Sequence, residues 1–233
     1  MTTVAENLEN IRRAIADACK KAGRKTDEVT ILAVSKTHNT DKIIKAYNAG
    51  QKIFGENYVQ EYLKKADAIK KMGGCDDIEW HFIGSLQTNK VKYIVGRTTL
   101  IHTVDRLKLA KEIDLRAEKA EIVQSVLVEV NLGGEETKTG VARNELFQLL
   151  EEIGELEHLR VEGLMTIPPL LPADEVRPYF VELAELFEQA KIRSLLPFGR
   201  HLSMGMSGDF SVAIECGATI VRIGTAIFGA RTG

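Results

Sequence analysis

Eight short apolar runs recur along the chain, and a helical pattern follows each of the first seven. The runs fall at about 29–35, 53–54, 78–83, 99–103, 122–130, 159–165, 200–204 and 219–223. Several are continuously apolar rather than alternating, as in Ile31-Leu32-Ala33-Val34. Strands buried on both faces read that way, and they belong to parallel sheets covered by helices. A leading helix with Val4, Leu8, Ile11, Ile15 and Ala18 at helical spacing precedes the first run. Regular alternation over 233 residues predicts an α/β chain, a single (β/α)8 TIM barrel over 1–233 with an extra N-terminal helix. An open doubly wound sheet is the alternative. No strand leads into G-x-G-x-x-G or G-x-x-x-x-G-K-[ST], so the usual nucleotide signatures of such sheets are absent.

Composition narrows the class of partner. A hydrophobic fraction of 44% with 27% charged residues describes an ordinary soluble globular chain. A formal net charge of -2, with no basic block, argues against nucleic acid and anionic membrane. No apolar run is long enough to span a bilayer. Cys19, Cys75 and Cys216 have no metal-like spacing, and the N-terminus lacks a signal-peptide pattern. The expectation is a cytoplasmic protein with no metal, and a monomer.

In a barrel of this kind the chemistry gathers where the strands end. Lys36 closes the first run, where burial would lower its pKa and leave a nucleophilic amine able to form a Schiff base with an aldehyde. The other reading is a lysine that turns its head to solvent. The seventh and eighth exits carry Ser203, Met204, Gly205, Met206, Ser207 and Gly208, then Gly224 and Thr225. Hydroxyls and open backbone donors there suit a phosphate, since barrels often hold one at that end. Arg222, flanked by Ile220, Val221 and Ile223, needs an acceptor inside the barrel. A ring nitrogen of a bound cofactor would serve, and so would a carboxylate such as Glu215. His81 reads either as a stacking group or as a core histidine. Asp105 reads as a helix cap, and the stretch from Gly133 to Gly140 as a polar loop over the mouth.

The stretches Ala33-Val34-Ser35-Lys36-Thr37, Phe54-Gly55-Glu56-Asn57-Tyr58 and Trp80-His81-Phe82-Ile83-Gly84-Ser85 occur in order. Gly163-Leu164-Met165-Thr166, Leu202-Ser203-Met204-Gly205-Met206-Ser207-Gly208-Asp209 and Arg222-Ile223-Gly224-Thr225 follow. Together they resemble the pyridoxal 5'-phosphate homeostasis protein family over nearly the whole chain. The resemblance implies a barrel like the N-terminal domain of alanine racemase, with pyridoxal 5'-phosphate (PLP) held on Lys36 as a Schiff base. It implies phosphate contacts from Ser203, Gly224 and Thr225, with backbone at Met204 and Gly205. It places Arg222 at the pyridine nitrogen and Asn57 and Met165 beside the ring.

The resemblance further implies a PLP-binding role in vitamin B6 homeostasis, with PLP-dependent apoenzymes as recipients and no catalytic residues. Arginine cannot give up a proton to the ring, so the electron sink is weak. Alanine racemase adds a tyrosine base from an extra β-domain, and the chain ends about ten residues after the eighth strand. A low-activity PLP-dependent racemase or lyase is the alternative. Lys42, Lys90 and Lys138 are candidates for secondary attachment.

Overall fold

A computed structural model describes residues 2–134 and 139–230. Eight parallel strands run through it in chain order: β1 (Thr30–Val34), β2 (Ile53–Glu56), β3 (Glu79–Phe82), β4 (Leu100–Val104), β5 (Gln124–Asn131), β6 (Leu159–Met165), β7 (His201–Ser203) and β8 (Ile220–Ile223). Each pairs with its neighbours in the chain, and β8 pairs with β1 through Thr30–Ile220 and Leu32–Arg222, which closes the barrel. A two-residue strand, Val141–Ala142, pairs with the end of β5.

The helices are α1 (Val4–Lys21), α2 (Thr40–Asn48), α3 (Val59–Met72), α4 (Leu107–Lys119), α5 (Leu146–Gly154), α6 (Ala173–Ile192), α7 (Phe210–Glu215) and α8 (Thr225–Phe228). Helix α1 begins with a reciprocal Thr3–Glu6 capping box and buries Leu8, Ile11, Ile15 and Ala18. Asn39 caps α2 by accepting from the Lys42 amide.

Three sequence expectations change. Between β3 and β4 the chain forms a 3-10 helix, Thr88–Tyr93, instead of an α-helix. Val91, Ile94 and Val95 are β-branched and poor helix formers. Arg106 occupies the cap position of α4 without a side-chain cap bond, and Asp105 pairs with Arg106 instead. A one-turn helix, α8, follows β8 where no helix was expected.

The core has two parts. Trp80, Phe54, Phe82 and Phe180 lie in the layer between strands and helices. Inside the barrel, Leu32, Val34, Ile83, Leu100, Leu127, Met165 and Ile220 form a second cluster. The pleat alternates faces, so residues two apart on a strand share the interior. Burying each such aliphatic side chain contributes about 1.5–3 kcal/mol. The interior also takes in His81, His102, Glu129, Ser203 and Arg222, all buried. Among the described residues no helix is long and apolar enough to cross a membrane.

Candidate functional site

The inward face of β1 runs Thr30, Leu32, Val34, and one more step brings Lys36 to the barrel's C-terminal mouth. On β8 the same step carries Arg222 to Gly224. A pocket of about 250 Å³ opens there, lined by Lys36, Asn57, Ser207, Gly208, Arg222, Gly224 and Thr225 among others. Apolar walls come from Val34, Ile83, Ile167 and Met206. The pocket therefore holds an amine, a guanidinium and two hydroxyls, with no carboxylate among the described lining residues. Asn57 Oδ1 is buried without a hydrogen-bond partner, a cost that a bound polar group would remove. Gly84 packs directly on the Asn57 backbone: a Cβ there would lie 2.0 Å from Asn57 O.

A buried charge cluster clamps the chain on both sides of Lys36. Lys65 Nζ on α3 donates to Ser35 O at 2.7 Å and to Glu56 Oε1 at 2.7 Å, and it pairs with Glu61 Oε1 at 2.6 Å. Ser35 Oγ donates to Glu56 Oε1 at 2.6 Å. On the far side, the Thr37 amide donates to Glu61 Oε1 at 2.5 Å while Thr37 adopts φ 65°. That left-handed backbone is uncommon for a β-branched residue. Lys65 and Glu56 are buried, and burial pushes the Glu56 carboxyl up against the opposing pull of Lys65.

Arg222 is buried and donates to neutral acceptors. Its Nη1 reaches Ser203 O at 2.8 Å and Ser203 Oγ at 2.9 Å, and its Nη2 reaches Thr166 O at 2.9 Å. Burial lowers its pKa to about 10, with Glu129 and Asp209 pulling the other way, so it stays charged at neutral pH. Glu215 is not its partner, because that carboxylate pairs with Arg177 at 2.5 Å on the surface.

Behind Arg222, His102 and His81 are neutral core histidines. Burial holds the His81 pKa down at about 3 and that of His102 well below the ordinary value. The unfolded imidazoles take up protons near pH 6.5 and the folded ones do not, so the unfolded state binds more protons in between. Stability should therefore fall as pH falls from about 6.5 toward 3, by up to about 1.4 kcal/mol per pH unit for each ring. Burial raises Glu56 and Glu129, which works in the opposite sense over part of that range. Urea midpoints at pH 7, 6 and 5, with and without the His81→Gln, His102→Gln pair, isolate the histidine share. A pair variant with the wild-type slope would refute it.

The residues named from sequence divide into two groups. Lys36, Asn57, Arg222, Gly224 and Thr225 share the pocket. Met165 lies in the inner cluster with Val34 and Ile83, two of the lining residues. Ser203, Met204 and Gly205 do not line it. The Ser203 hydroxyl binds Arg222 and His102, and the Met204 amide donates to Ile220 O at 3.1 Å. Gly205, at φ 90°, lets α7 pack close: a Cβ would sit 2.6 Å from Ala213 Cβ. Met206, Ser207 and Gly208 take the lining position three residues further on. Lys42 Nζ donates to Phe228 O at 2.6 Å, and Lys90 lies near the Tyr93 ring. Lys138, with residues 135–137 of the polar loop, falls outside the described residues. At the loop's end, Thr139 Oγ1 donates to Glu129 Oε1 at 2.7 Å.

A family model described as alanine racemase, N-terminal domain, matches residues 7–232. The pyridoxal phosphate homeostasis protein of Aquifex aeolicus (strain VF5) is 53% identical over 229 residues, covering 97% of this chain and 97% of that one. This chain belongs to the pyridoxal phosphate homeostasis protein family. The homeostasis protein of Escherichia coli (strain K12) is 40% identical over 232 residues, covering 99% of this chain and 98% of that one. Among solved structures, PipY of Synechococcus elongatus PCC7942 with PLP bound superposes with a TM-score of 0.85 at 32% identity, over 97% of this chain and 100% of that one. Alanine racemase from Corynebacterium glutamicum, at 16% identity and a TM-score of 0.68, shares the barrel fold; the match covers 99% of this chain and 61% of that one.

Proposed function

We propose that the protein acts as a single PLP-binding domain in intracellular PLP homeostasis, holding PLP on Lys36 without efficient catalysis. The carrying observation is one pocket that gathers the Lys36 amine, the Arg222 guanidinium, two hydroxyls and two glycines at the mouth of a barrel whose relative PipY binds PLP. Lys36 supplies the amine that condenses with the aldehyde, with loss of water. Ser207, Gly208, Gly224 and Thr225 are assigned to the phosphate, and Arg222 to the ring nitrogen. Asn57 offers its partnerless Oδ1 to a polar group beside the ring.

When bound, PLP supplies an electron sink whose strength depends on a proton at its ring nitrogen. Arg222 only donates, so it leaves that nitrogen unprotonated and the sink weak. The reading is therefore a carrier, with PLP-dependent apoenzymes as recipients, acting as a monomer. Cys19, Cys75 and Cys216 are free thiols, which suits a reducing compartment and supports the reading of a cytoplasmic protein.

Borohydride reduction of the PLP-loaded protein, followed by peptide mass spectrometry, tests the assignment. The label is expected on Lys36, and Lys36→Ala should lose both the label and the visible band. A label chiefly on Lys42 or Lys90 would sink the reading. Ordinary enzymatic turnover of an amino acid, lost in Lys36→Ala, would replace the carrier with an enzyme.

A further inference from the structure

We infer that Ser203, His102 and His81 are positioning residues for Arg222: a one-way hydrogen-bond relay through the barrel fixes the guanidinium presented to the pocket. The inference rests on the reading above in that Arg222 faces the cofactor there.

The direction of the relay follows from what each group can do. Arginine donates and cannot accept. Arg222 Nη1 lies 2.9 Å from Ser203 Oγ, so the serine oxygen accepts there. Among the described residues, the hydroxyl's single proton then has one acceptor to go to, His102 Nδ1 at 2.9 Å. His102 Nδ1 is thus an acceptor, and its proton sits on Nε2. That nitrogen lies 3.0 Å from His81 Nδ1, which must accept in turn and leave His81 protonated on Nε2. Each ring is neutral, with one donor and one acceptor, as a relay of this kind needs; burial keeps both that way. A proton on His81 Nδ1 would reverse every bond back to Ser203, whose own proton would then have no acceptor among the described residues.

The second arm of the guanidinium is fixed independently. Arg222 Nη2 donates to Thr166 O, and Thr166 Oγ1 donates to Val130 O at 2.8 Å. The first arm also donates to Ser203 O at 2.8 Å, and the relay supplies its side-chain partner. The relay also spans the barrel: His81 lines a cavity of about 220 Å³ at the opposite mouth, with Glu162, Arg200 and His201. Glu162 there is occupied by Arg200 at 2.7 Å and by Ser125 Oγ at 2.8 Å. The Ser203 hydroxyl, which its sequence position recommends as a phosphate ligand, has both its functions used inside the barrel.

Nitrogen-15 NMR of histidine-labelled, PLP-free protein at pH 7 reads the tautomers directly. Both His102 and His81 are expected as Nε2–H forms; His102 as the Nδ1–H form would overturn the relay. Ser203→Ala should release His102 into a mixture of tautomers, and Ser203→Thr, which keeps the hydroxyl, should restore the single form. With PLP added, Ser203→Ala should move the pH midpoint of the visible band by about one pH unit while borohydride still labels Lys36, a shift worth one charge-assisted hydrogen bond. Ser203→Thr should return that midpoint. Tautomers and midpoint unchanged in Ser203→Ala would also overturn the relay. Absence of any visible band in the wild type would defeat the PLP reading instead, and the tautomers of the PLP-free protein would still decide the relay.

Discussion

Replacing Gly163 by alanine is expected to cost about 4 kcal/mol or more, or to prevent folding, because the new methyl has nowhere to go. A Cβ at this position would lie 1.9 Å from His201 O, 2.7 Å from His201 C and 3.0 Å from His201 N. These are backbone atoms of the neighbouring strand, so no rotamer change relieves the clash. Gly163 also adopts φ 153°, a region that L side chains rarely enter. It pairs with His201 on β7 and with Leu127 on β5, next to a register shift between Val126 and Leu127. Moving β7 to make room would carry Ser203 away from Arg222, so stability and the site should fail together. Gly154→Ala is the control. It ends α5 with nothing within 4 Å of its would-be Cβ, and it should be neutral or stabilise by about 0.4–1 kcal/mol. Urea denaturation of both variants decides: Gly163→Ala within about 1 kcal/mol of wild type would show that the strands can separate cheaply.

The barrel was legible because its signal is periodic and local. Continuous apolar runs separated by helical patterns leave few architectures, and the period of two on β1 puts Lys36 on the same face as Leu32 and Val34. The pocket was partly legible for the same reason: Arg222 sits on the last strand, and Lys36, Asn57, Gly224 and Thr225 each come within two residues of a strand end. Ser203 shows where that logic stops. Its place at a strand exit suggests a ligand contact, but its hydroxyl is claimed by His102, 101 positions away, and by Arg222. Such long-range partners leave no trace in local spacing. Ser207 was visible in the same glycine-rich stretch, and only the three-dimensional path of the loop selects it over Ser203. The 3-10 helix after β3 was hidden because Val91 and Ile94 supply the apolar spacing of an α-helix while disfavouring one. Lys65 did leave a signal. Tyr62, Lys65 and Ile69 occupy one buried face of α3, and a lysine at such a position needs a partner.

Lys65→Met should also be costly, by about 3–5 kcal/mol, because it leaves the buried Glu56 carboxylate and the half-buried Glu61 carboxylate uncompensated. Methionine nearly matches the lysine stem in volume, so lost packing contributes little. What is lost is the cation that holds Glu56 Oε1 and Glu61 Oε1 together, along with a donor to Ser35 O. Burial already raises the Glu56 carboxyl against the pull of Lys65; without that pull it should protonate or force the two side chains apart. Either response loosens Ser35 on one side of Lys36 and Thr37 on the other. The variant should thus lose PLP affinity, read from the visible band during titration, beyond what its global unfolding explains. Glu56→Gln removes one of the two orphaned charges, so the Lys65→Met, Glu56→Gln double variant should recover part of the stability, with a coupling energy of about 1 kcal/mol or more. It should not recover Lys36 placement, because Ser35 O still lacks the Lys65 ammonium and keeps only the His38 amide at 3.1 Å among the described residues. A double variant that regains stability and wild-type PLP titration together would mean that the cluster only balances charge and does not position Lys36.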